Sequence, residues 1–408
     1  MAKNIFIAAT SKDAGKSTLS FALLEKMIQM NQNVGFMKPV GQRWLESKWG
    51  KVEEDVILMK EIFNFDEFPS DMNPIVVKRG FTEDYLSKIV KPDLGTKIIE
   101  GYNKVSKDKD YVIIEGTGHA GVGSVIDKSN AEVAKLLHSK VVLVGKGGIG
   151  SAIDQLELNR KFFESHGVEV LGVILNKVHH EKIEKVKRNV QKYCKSKEIQ
   201  LLGCIPYSPI LSNPTLGQVI DELKPEVIYE NEDRKTVIDD FIVGASNVEE
   251  FLEIMQEKTG NILLVFPSTR LDIILAISKL IQIAKNKLNI LGVLFSGKTK
   301  PQRLAVEILK EENISVLWKN GDTYSVISKM SSISIKTGPE EDRKIDEIKK
   351  IVISNIQYSN ILNSLDEVHI EGNFLRKVKN SFYNIYLFFQ GGLKRAQIKS
   401  LKNRNDQE

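Results

Sequence analysis

The stretch Ile5-Phe6-Ile7-Ala8-Ala9-Thr10-Ser11-Lys12-Asp13-Ala14-Gly15-Lys16-Ser17-Thr18 predicts a buried strand, a loop and the first turn of a helix. A loop at such a junction directs several backbone N–H groups at one concave site, and the helix adds its positive N-terminal end. Lys16 supplies a charge for the outer phosphates, and the hydroxyl of Ser17 is a ligand for Mg²⁺. We therefore expect a nucleoside triphosphate to bind these residues: Ala14, Gly15, Lys16, Ser17 and Thr18.

One position in this loop departs from the usual phosphate-binding pattern. The pattern begins with glycine, and Thr10 stands at that place. A surface turn that happens to contain Gly-Lys-Ser is therefore the alternative interpretation. The apolar strand before the loop and the apolar helix face after it favour the phosphate loop.

The first half of the chain alternates short apolar runs with helical patterns. The runs lie at residues 5–8, 34–37, 111–114, 141–144 and 170–175. This alternation is typical of an α/β domain with a doubly wound, mostly parallel sheet, in which ligands bind at the carboxyl ends of the strands. Three prolines between residues 206 and 214 predict a boundary, so we assign residues 1–212 to this domain.

A second, smaller α/β domain is predicted for residues 213–336. Its apolar runs lie at 219–220, 241–244, 262–266, 290–295 and 315–317, with helical patterns at 248–255, 271–284 and 302–311 between them. Residues 337–408 then form a helical, basic tail. Its part from Phe374 has apolar groups near every fourth residue, interleaved with Arg and Lys. Peripheral contact with a membrane or nucleic acid is possible, but docking on the protein itself or on a dimer mate is the commoner role of such a helix.

The composition excludes several classes of protein. The 408 residues are 42% hydrophobic and 27% charged, with a net charge of +5, which by itself indicates no specific nucleic-acid partner. Two cysteines cannot form a disulfide framework, and a strand begins too early for a secretory signal. We therefore expect a cytoplasmic protein without a membrane span.

Two carboxylates are candidate ligands for Mg²⁺. Glu115 ends a very apolar run, so it lies at the sheet edge that faces the phosphate loop. Asp55 follows Glu53 and Glu54 at the start of a helical pattern. This acidic trio has an equally good alternative role as a charge cluster that stabilises the N-terminus of a helix.

Lys38 and one glycine-rich loop are candidates for the reacting groups. Lys38 lies between a strand and Pro39, so its position is restricted, and it can neutralise charge that develops during phosphoryl transfer. A solvated surface lysine is the alternative. The loop at 116–123 has four glycines, and we place the substrate there, at Gly116, Gly118 and His119. His119 is a possible general base, although a lone loop histidine is more often incidental.

These motifs together resemble the dethiobiotin synthetase family, in order and approximate spacing, over the first 210 residues. The residues that carry the resemblance are Gly15-Lys16-Ser17, Gly35-Phe36-Met37-Lys38-Pro39-Val40, Asp55, Ile114-Glu115-Gly116, Gly172-Val173-Ile174-Leu175-Asn176 and Ile205-Pro206. The region is more similar to the dethiobiotin-synthetase-like amino-terminal part of long bacterial phosphotransacetylases and to relatives named after cobyrinic acid diamide synthase.

The second domain resembles the DRTGG domain that follows in those phosphotransacetylases. Matching segments are Pro214-Thr215-Leu216-Gly217-Gln218-Val219 and Phe241-Ile242-Val243-Gly244-Ala245, and Pro267-Ser268-Thr269-Arg270 stands where that family often has Gly-Asp-Arg. The acetyltransferase domain has no counterpart in this sequence, so we expect no phosphotransacetylase activity.

The resemblance implies a role for each matching residue. Lys16 and Ser17 contact phosphate and Mg²⁺, Asp55 and Glu115 complete the metal site, Lys38 faces the substrate or the γ-phosphate, and Asn176 reads adenine. Lys16 and Lys38 are the catalytic candidates. ATP and Mg²⁺ are the implied cofactors, and a homodimer is usual for the family.

Two functions remain open from the sequence. The first is an ATP-dependent enzyme that activates a small carboxylate, carbamate or similar group by phosphoryl transfer, as ligases of the dethiobiotin synthetase type do. The second is an ATP-sensing regulatory protein whose DRTGG-like domain binds a ligand or a partner.

Overall fold

The computed structural model describes residues 2–88, 91–231, 234–283, 288–333 and 335–366. Residues 2–358 form one compact unit that contains two sheets, and the described residues from Ser359 to Asp366 belong to a second unit. The basic stretch predicted from Phe374 lies outside the described residues. Within the described part of the chain, every helix is too short or too polar to cross a membrane.

The first sheet has six parallel strands in the order β10-β9-β8-β1-β7-β2. The strands of this region are β1 (Lys3–Ala9), β2 (Val34–Met37), β3 (Val40–Gly41), β4 (Trp44–Ser47), β5 (Gly50–Glu53), β6 (Ile75–Val76), β7 (Tyr111–Glu115), β8 (Lys140–Lys146), β9 (Val170–Val178) and β10 (Gln200–Pro206). β3 pairs with β6, and β4 pairs with β5, in two small separate sheets. The central strands are apolar almost throughout because both faces of the sheet are covered.

Helices connect these strands. They are α1 (Lys16–Gln29), α2 (Glu54–Phe63), α3 (Pro69–Met72), α4 (Phe81–Ser87), α5 (Leu94–Val105), α6 (Asn130–Leu136), α7 (Gly150–Ser165), α8 (Ile183–Ser196) and α9 (Pro209–Ser212). β7 and β2 lie on one side of β1, and β8, β9 and β10 lie on the other. This is the predicted doubly wound arrangement, and it puts the topological switch point beside β1.

The second sheet has the order β11-β15-β14-β13-β12, with β11 antiparallel to its neighbour and the other strands parallel. Its strands are β11 (Glu226–Tyr229), β12 (Asp240–Val243), β13 (Gly260–Pro267), β14 (Leu288–Ser296) and β15 (Ser315–Lys319), and its helices are α10 (Leu216–Leu223), α11 (Val248–Glu257), α12 (Leu271–Ile283), α13 (Arg303–Glu311) and α14 (Thr323–Ser331). The short apolar run Val219-Ile220 lies in α10, so it is not one of the strands.

The core of the second domain has two layers. Ile262, Leu264 and Phe266 of β13 pack with residues of α11, α12 and α13. Leu263 and Val265, which point to the other face, pack with residues of α10 and α14. The α/β fold predicted for both domains is therefore confirmed.

After the second domain, the chain returns to the first. α15 (Asp342–Ile351) and α16 (Tyr358–Asp366) are the C-terminal helices. Lys349 Nζ lies 3.2 Å from Glu25 Oε1 of α1, and the Tyr358 hydroxyl donates to the carbonyl of Ala22 at 3.0 Å. The predicted tail thus begins with a segment that packs against α1. The domain boundaries at residues 212 and 336 stay predictions.

Candidate functional site

The loop between β1 and α1 is held by its backbone and by one amide side chain. The N–H of Thr10 donates to the carbonyl of Val144 at 2.9 Å, which joins the start of the loop to β8. Gly15 has a φ of 100°, and a Cβ there would lie 1.9 Å from Asn176 Nδ2. The same Nδ2 donates to the carbonyl of Ala14 at 2.9 Å. Glycine is therefore required immediately before α1, and Asn176 supports the loop from β9.

Lys16 and Ser17 connect the start of α1 to the end of β7. Lys16 Nζ donates to the carbonyl of Gly118 at 3.3 Å, and Ser17 Oγ donates to Glu115 Oε1 at 2.9 Å. Burial lowers the pKa of Lys16, and the nearby Glu115 carboxylate opposes that shift. An anionic ligand beside Lys16 would favour its protonated form.

A buried cluster of charges lies next to these residues. Lys38 Nζ is 3.2 Å from Glu53 Oε1 and 3.1 Å from Glu115 Oε1, and it also pairs with Asp55. The Lys38 side chain is 5% exposed, which excludes the interpretation of a solvated surface lysine. Burial alone would lower the pKa of Lys38, but the three carboxylates outweigh it and raise the pKa well above the usual range. Lys38 is thus a fixed ammonium.

Two members of the acidic trio lie where the helix-stabilising role predicts them, and the role of Asp55 as a metal ligand stays a prediction. Glu54 and Asp55 lie in the first turn of α2, where carboxylates stabilise the helix, and Asp55 also contacts Lys38. Burial would raise the pKa of Asp55, but Lys336 and Lys38 together hold it well below its usual range. Burial raises the pKa of Glu53, and the two lysines only partly oppose this.

The donor set fits a magnesium ion. Glu115 is fully buried, and its Oε2 has no hydrogen-bond partner among the described residues. With Asp55 and the Ser17 hydroxyl, it offers the hard oxygen donors that Mg²⁺ prefers. In the described part of the chain, no three His, Cys, Asp or Glu side chains form a metal cage of their own. Phosphate oxygens and water would therefore supply the other ligands, as is usual for this ion.

Two amide side chains that the sequence analysis did not single out hold the glycine-rich loop. Asn130 accepts from the N–H of Thr117 at 3.0 Å and donates to the carbonyl of His119 at 2.7 Å. Asn159 of α7 accepts from the N–H of Ala120 at 2.9 Å. The capping box formed by Ser129 and Glu132 marks the start of α6, but it carries no information on the contacts of Asn130.

Most of the predicted site residues line one cavity of about 450 Å³. It is bounded by Gly15, Lys16, Ser17, Thr18, Lys38, Asp55, Glu115, Gly118, His119 and Asn176, and also by Arg43, Ser208 and Lys336. Two residues predicted for the site, Ala14 and Gly116, are not among those that line this cavity. Ala14 is buried, and Gly116 donates from its N–H to the carbonyl of Ile7 at 2.9 Å.

Both polar atoms of the Asn176 side chain are hydrogen-bonded within the protein. Its Oδ1 accepts from the N–H of Lys177 at 2.8 Å, and its Nδ2 is bonded to the phosphate loop. Asn176 therefore supports the loop, and recognition of adenine by Asn176 stays a prediction.

A strand, a phosphate loop and a helix at the carboxyl edge of a parallel sheet define a P-loop ATPase-like fold. The chain belongs to the AAA domain family, whose model matches residues 3–215, and a DRTGG domain matches residues 218–333. The resemblance inferred from the motifs is thereby confirmed.

Two kinds of curated protein are among the relatives of this chain. The phosphate acetyltransferase of Nitratidesulfovibrio vulgaris is 22% identical over 355 residues, which is 85% of this chain and 49% of that protein. The ATP-dependent dethiobiotin synthetase BioD of Anoxybacillus flavithermus is 24% identical over 212 residues, which is 50% of this chain and 92% of that protein. The chain thus spans about half the length of the matching phosphate acetyltransferase.

Among solved structures, the MinC:MinD cell division protein complex of Aquifex aeolicus matches with a TM-score of 0.33 and 17% identity. The match covers 52% of this chain and 84% of that one.

Proposed function

We propose that the first domain binds ATP with Mg²⁺ and transfers the γ-phosphoryl group to a small carboxylate- or carbamate-like substrate. The observation that carries this proposal is the position of Lys38, a buried ammonium among three carboxylates in the same cavity as Lys16 and Ser17. A protein seldom buries four charged groups at a sheet edge unless a charged ligand binds there.

The residues have separate tasks in this proposal. The backbone at Gly15 and the Lys16 ammonium hold the phosphates, and Ser17, Asp55 and Glu115 hold the metal ion. Mg²⁺, when bound, neutralises charge on the phosphate oxygens. Lys38 does not act as a general base because its raised pKa keeps it protonated. It instead stabilises the negative charge that develops as a substrate oxygen attacks the γ-phosphorus and ADP leaves.

The substrate is small, and it lies beside the glycine-rich loop. A cavity of about 450 Å³ has little room beyond a nucleotide. Gly118 and His119 line the cavity on this side, and we assign them to the substrate. A homodimer and a cytoplasmic location belong to the same proposal.

One observation favours the regulatory alternative. Lys336 is the last residue of the predicted second domain, yet its ammonium lies 2.9 Å from Asp55 Oδ2. In that alternative, ATP at the first domain changes how the DRTGG domain binds its ligand or partner.

The test is ADP production by the full chain with ATP and Mg²⁺ over a panel of bicarbonate, diamines, dicarboxylates and amide donors. We expect one substrate class to stimulate ADP release, and Lys16→Ala to abolish the stimulation. Lys329→Gln, which changes an exposed lysine of α14, is the matched control and keeps the activity. If ATP binds but no member of the panel stimulates turnover, the regulatory alternative replaces the enzymatic one.

A further inference from the structure

Lys336 is the lysine in the site that comes from outside the first domain. Its Nζ lies 2.9 Å from Asp55 Oδ2, 3.4 Å from Glu54 Oε2 and 3.7 Å from Glu53 Oε1. Asp55 Oδ2 also accepts from Lys38. One carboxylate oxygen at the proposed metal site is therefore shared by two ammonium groups.

The backbone of Lys336 is joined to the second domain. Gln218 of α10 donates from Nε2 to the carbonyl of Lys336 at 2.6 Å. The same side chain accepts from Lys344 of α15 at 3.2 Å, and it forms a capping box with Thr215 at the start of α10. The segment around Lys336 is thus held at two points, by its ammonium on Asp55 and by its carbonyl on Gln218, and loss of the first contact leaves only the second.

A second ion pair joins α10 to the site. Arg43 lies 3.3 Å from Glu222 Oε1 near the end of α10 and 3.8 Å from Glu54 Oε2. The N–H of Arg43 donates to Glu53 Oε2 at 2.7 Å. Both ends of α10 are therefore linked by side chains to the residues around Asp55.

The two lysines on Asp55 differ in how readily they can leave. Lys38 is 5% exposed, and its departure would take away the one cation that contacts all three buried carboxylates, Glu53, Asp55 and Glu115. Lys336 is 23% exposed, so its ammonium can turn towards water at a much smaller cost. A divalent cation brings two charges to the same oxygen, so it would displace the more exposed lysine.

We propose that Lys336 is a replaceable counter-ion for Asp55, and that Mg²⁺ arriving at the site displaces it and loosens the contact between residues 335–338 and α10. The inference rests on the proposed function in one respect, which is that a divalent cation binds at Asp55 and Glu115. Binding of Mg²⁺ in the first domain thereby changes the contacts of α10 in the second domain.

The first test measures binding of Mn²⁺, an oxygen-seeking substitute for Mg²⁺, to the full chain by electron paramagnetic resonance. Because Lys336→Gln removes the competing charge, we expect Mn²⁺ to bind it about five- to tenfold more tightly than wild type. Lys336→Arg, which keeps the charge, and the control Lys329→Gln should bind Mn²⁺ as wild type does. A variant that merely loosened the fold would weaken the binding. Equal or weaker binding to Lys336→Gln, or no binding to any of these proteins, overturns the proposal.

The second test measures amide hydrogen exchange in residues 335–338 and α10 with and without MgCl₂, and it needs no variant. We expect faster exchange with Mg²⁺ in wild type, and in Lys336→Gln exchange that is already fast without it. Unchanged exchange in wild type at saturating Mg²⁺ overturns the proposal. Both readouts are independent of ATP turnover, so a protein that responds here but releases no ADP refutes only the enzymatic function.

Discussion

The two sheets of this protein share an architecture and differ in what they bury at the edge where their parallel strands end. The first sheet buries Lys38, Asp55 and Glu115 there. At the same edge of the second sheet lie Ser268 and Ser296, and each hydroxyl is paired within the domain: Ser268 Oγ donates to the carbonyl of Thr299, and Ser296 Oγ bonds to Thr323 Oγ1, both at 2.7 Å. The sheet architecture that the two domains share therefore does not by itself create a ligand-binding site.

The two sheet edges differ in the free energy that it costs to bury their polar side chains. Neutral hydroxyls are buried at little cost when they are hydrogen-bonded, whereas a buried charge must be paired to be tolerated. Glu115 Oε2, which has no partner within the described part of the chain, keeps an acceptor available in the first sheet. We interpret this edge as preorganised for a charged ligand and the other edge as part of a core.

The largest expected effect comes from breaking the charge cluster. Lys38→Met leaves three buried carboxylates short of a partner, and we expect the free energy of unfolding to fall by about 3 kcal/mol or more. Urea denaturation measures it. The matched change Lys310→Met, at a partly exposed pair with Glu307 in the second domain, should cost at most about 0.5 kcal/mol. Equal losses of unfolding free energy in the two variants would contradict the claim that buried charges distinguish the first domain from the second.

The second-largest difference that we expect between the two domains is in how their stability changes with pH. Asp55 has a depressed pKa, so its contribution is present above the ordinary aspartate pKa of about 3.9 and is lost as the pH falls. We therefore expect wild type to lose more stability than Asp55→Asn between about pH 5 and pH 3. Burial raises the pKa of Glu53, so its contribution to wild-type stability changes in the opposite direction as the pH falls.

Asp272 of the second domain provides the comparison for that experiment. Hydrogen bonds from Arg270 lower its pKa too, but its side chain is half exposed. Asp272→Asn should therefore follow the wild-type pH profile closely when denaturation is repeated at each pH. An Asp55→Asn profile parallel to that of wild type would show that the cluster does not hold Asp55 ionised.

A smaller effect is expected from the amide behind the phosphate loop. Asn176→Ala removes the hydrogen bond to Ala14, and one such bond contributes about 1 kcal/mol, so ATP affinity should fall about fivefold. Calorimetric titration with ATP and Mg²⁺ measures it. Asn289→Ala, which removes an exposed amide pair with Asn261 in the second domain, should leave the affinity unchanged. A fall of more than a hundredfold for Asn176→Ala would indicate a direct contact with the nucleotide.

The smallest expected effect comes from a substitution in the hydrophobic core of the second domain. Ile277 is fully buried on α12, and Ile277→Val should lower the free energy of unfolding by about 1 kcal/mol. Thermal denaturation measures the loss. ATP affinity measured on the folded variant should stay that of wild type, because no charged group moves. A parallel loss of affinity would mean that this core also shapes the nucleotide site.

The sequence predicted what is local along the chain. Apolar runs with polar ends identified the strands, and the Gly15-Lys16-Ser17 pattern identified the loop because a strand and a helix must flank it. Lys38 and Glu115 were found because each follows an apolar run, and parallel strands end at one edge. Val219-Ile220 was ambiguous because two apolar residues fit a helix as well as a strand.

What the sequence could not predict depends on contacts between distant segments. Lys336 is 281 residues from Asp55 along the chain, and its surroundings resemble an ordinary connection. Asn130 and Asn159 hold the glycine-rich loop from two different helices, and a single amide carries no periodic signal. Glu53 looked like one member of a helix-capping trio, and only the fold shows that it contacts Lys38.

The most direct test of the central claim, that the charged edge of the first sheet is a site for ATP with Mg²⁺, is calorimetric titration of the full chain with ATP in MgCl₂ and again in EDTA. We predict one binding site, tighter with Mg²⁺ than with EDTA, and no measurable binding to Lys16→Ala. Absence of binding to wild type, the same affinity in EDTA, or unchanged binding to Lys16→Ala would contradict the claim.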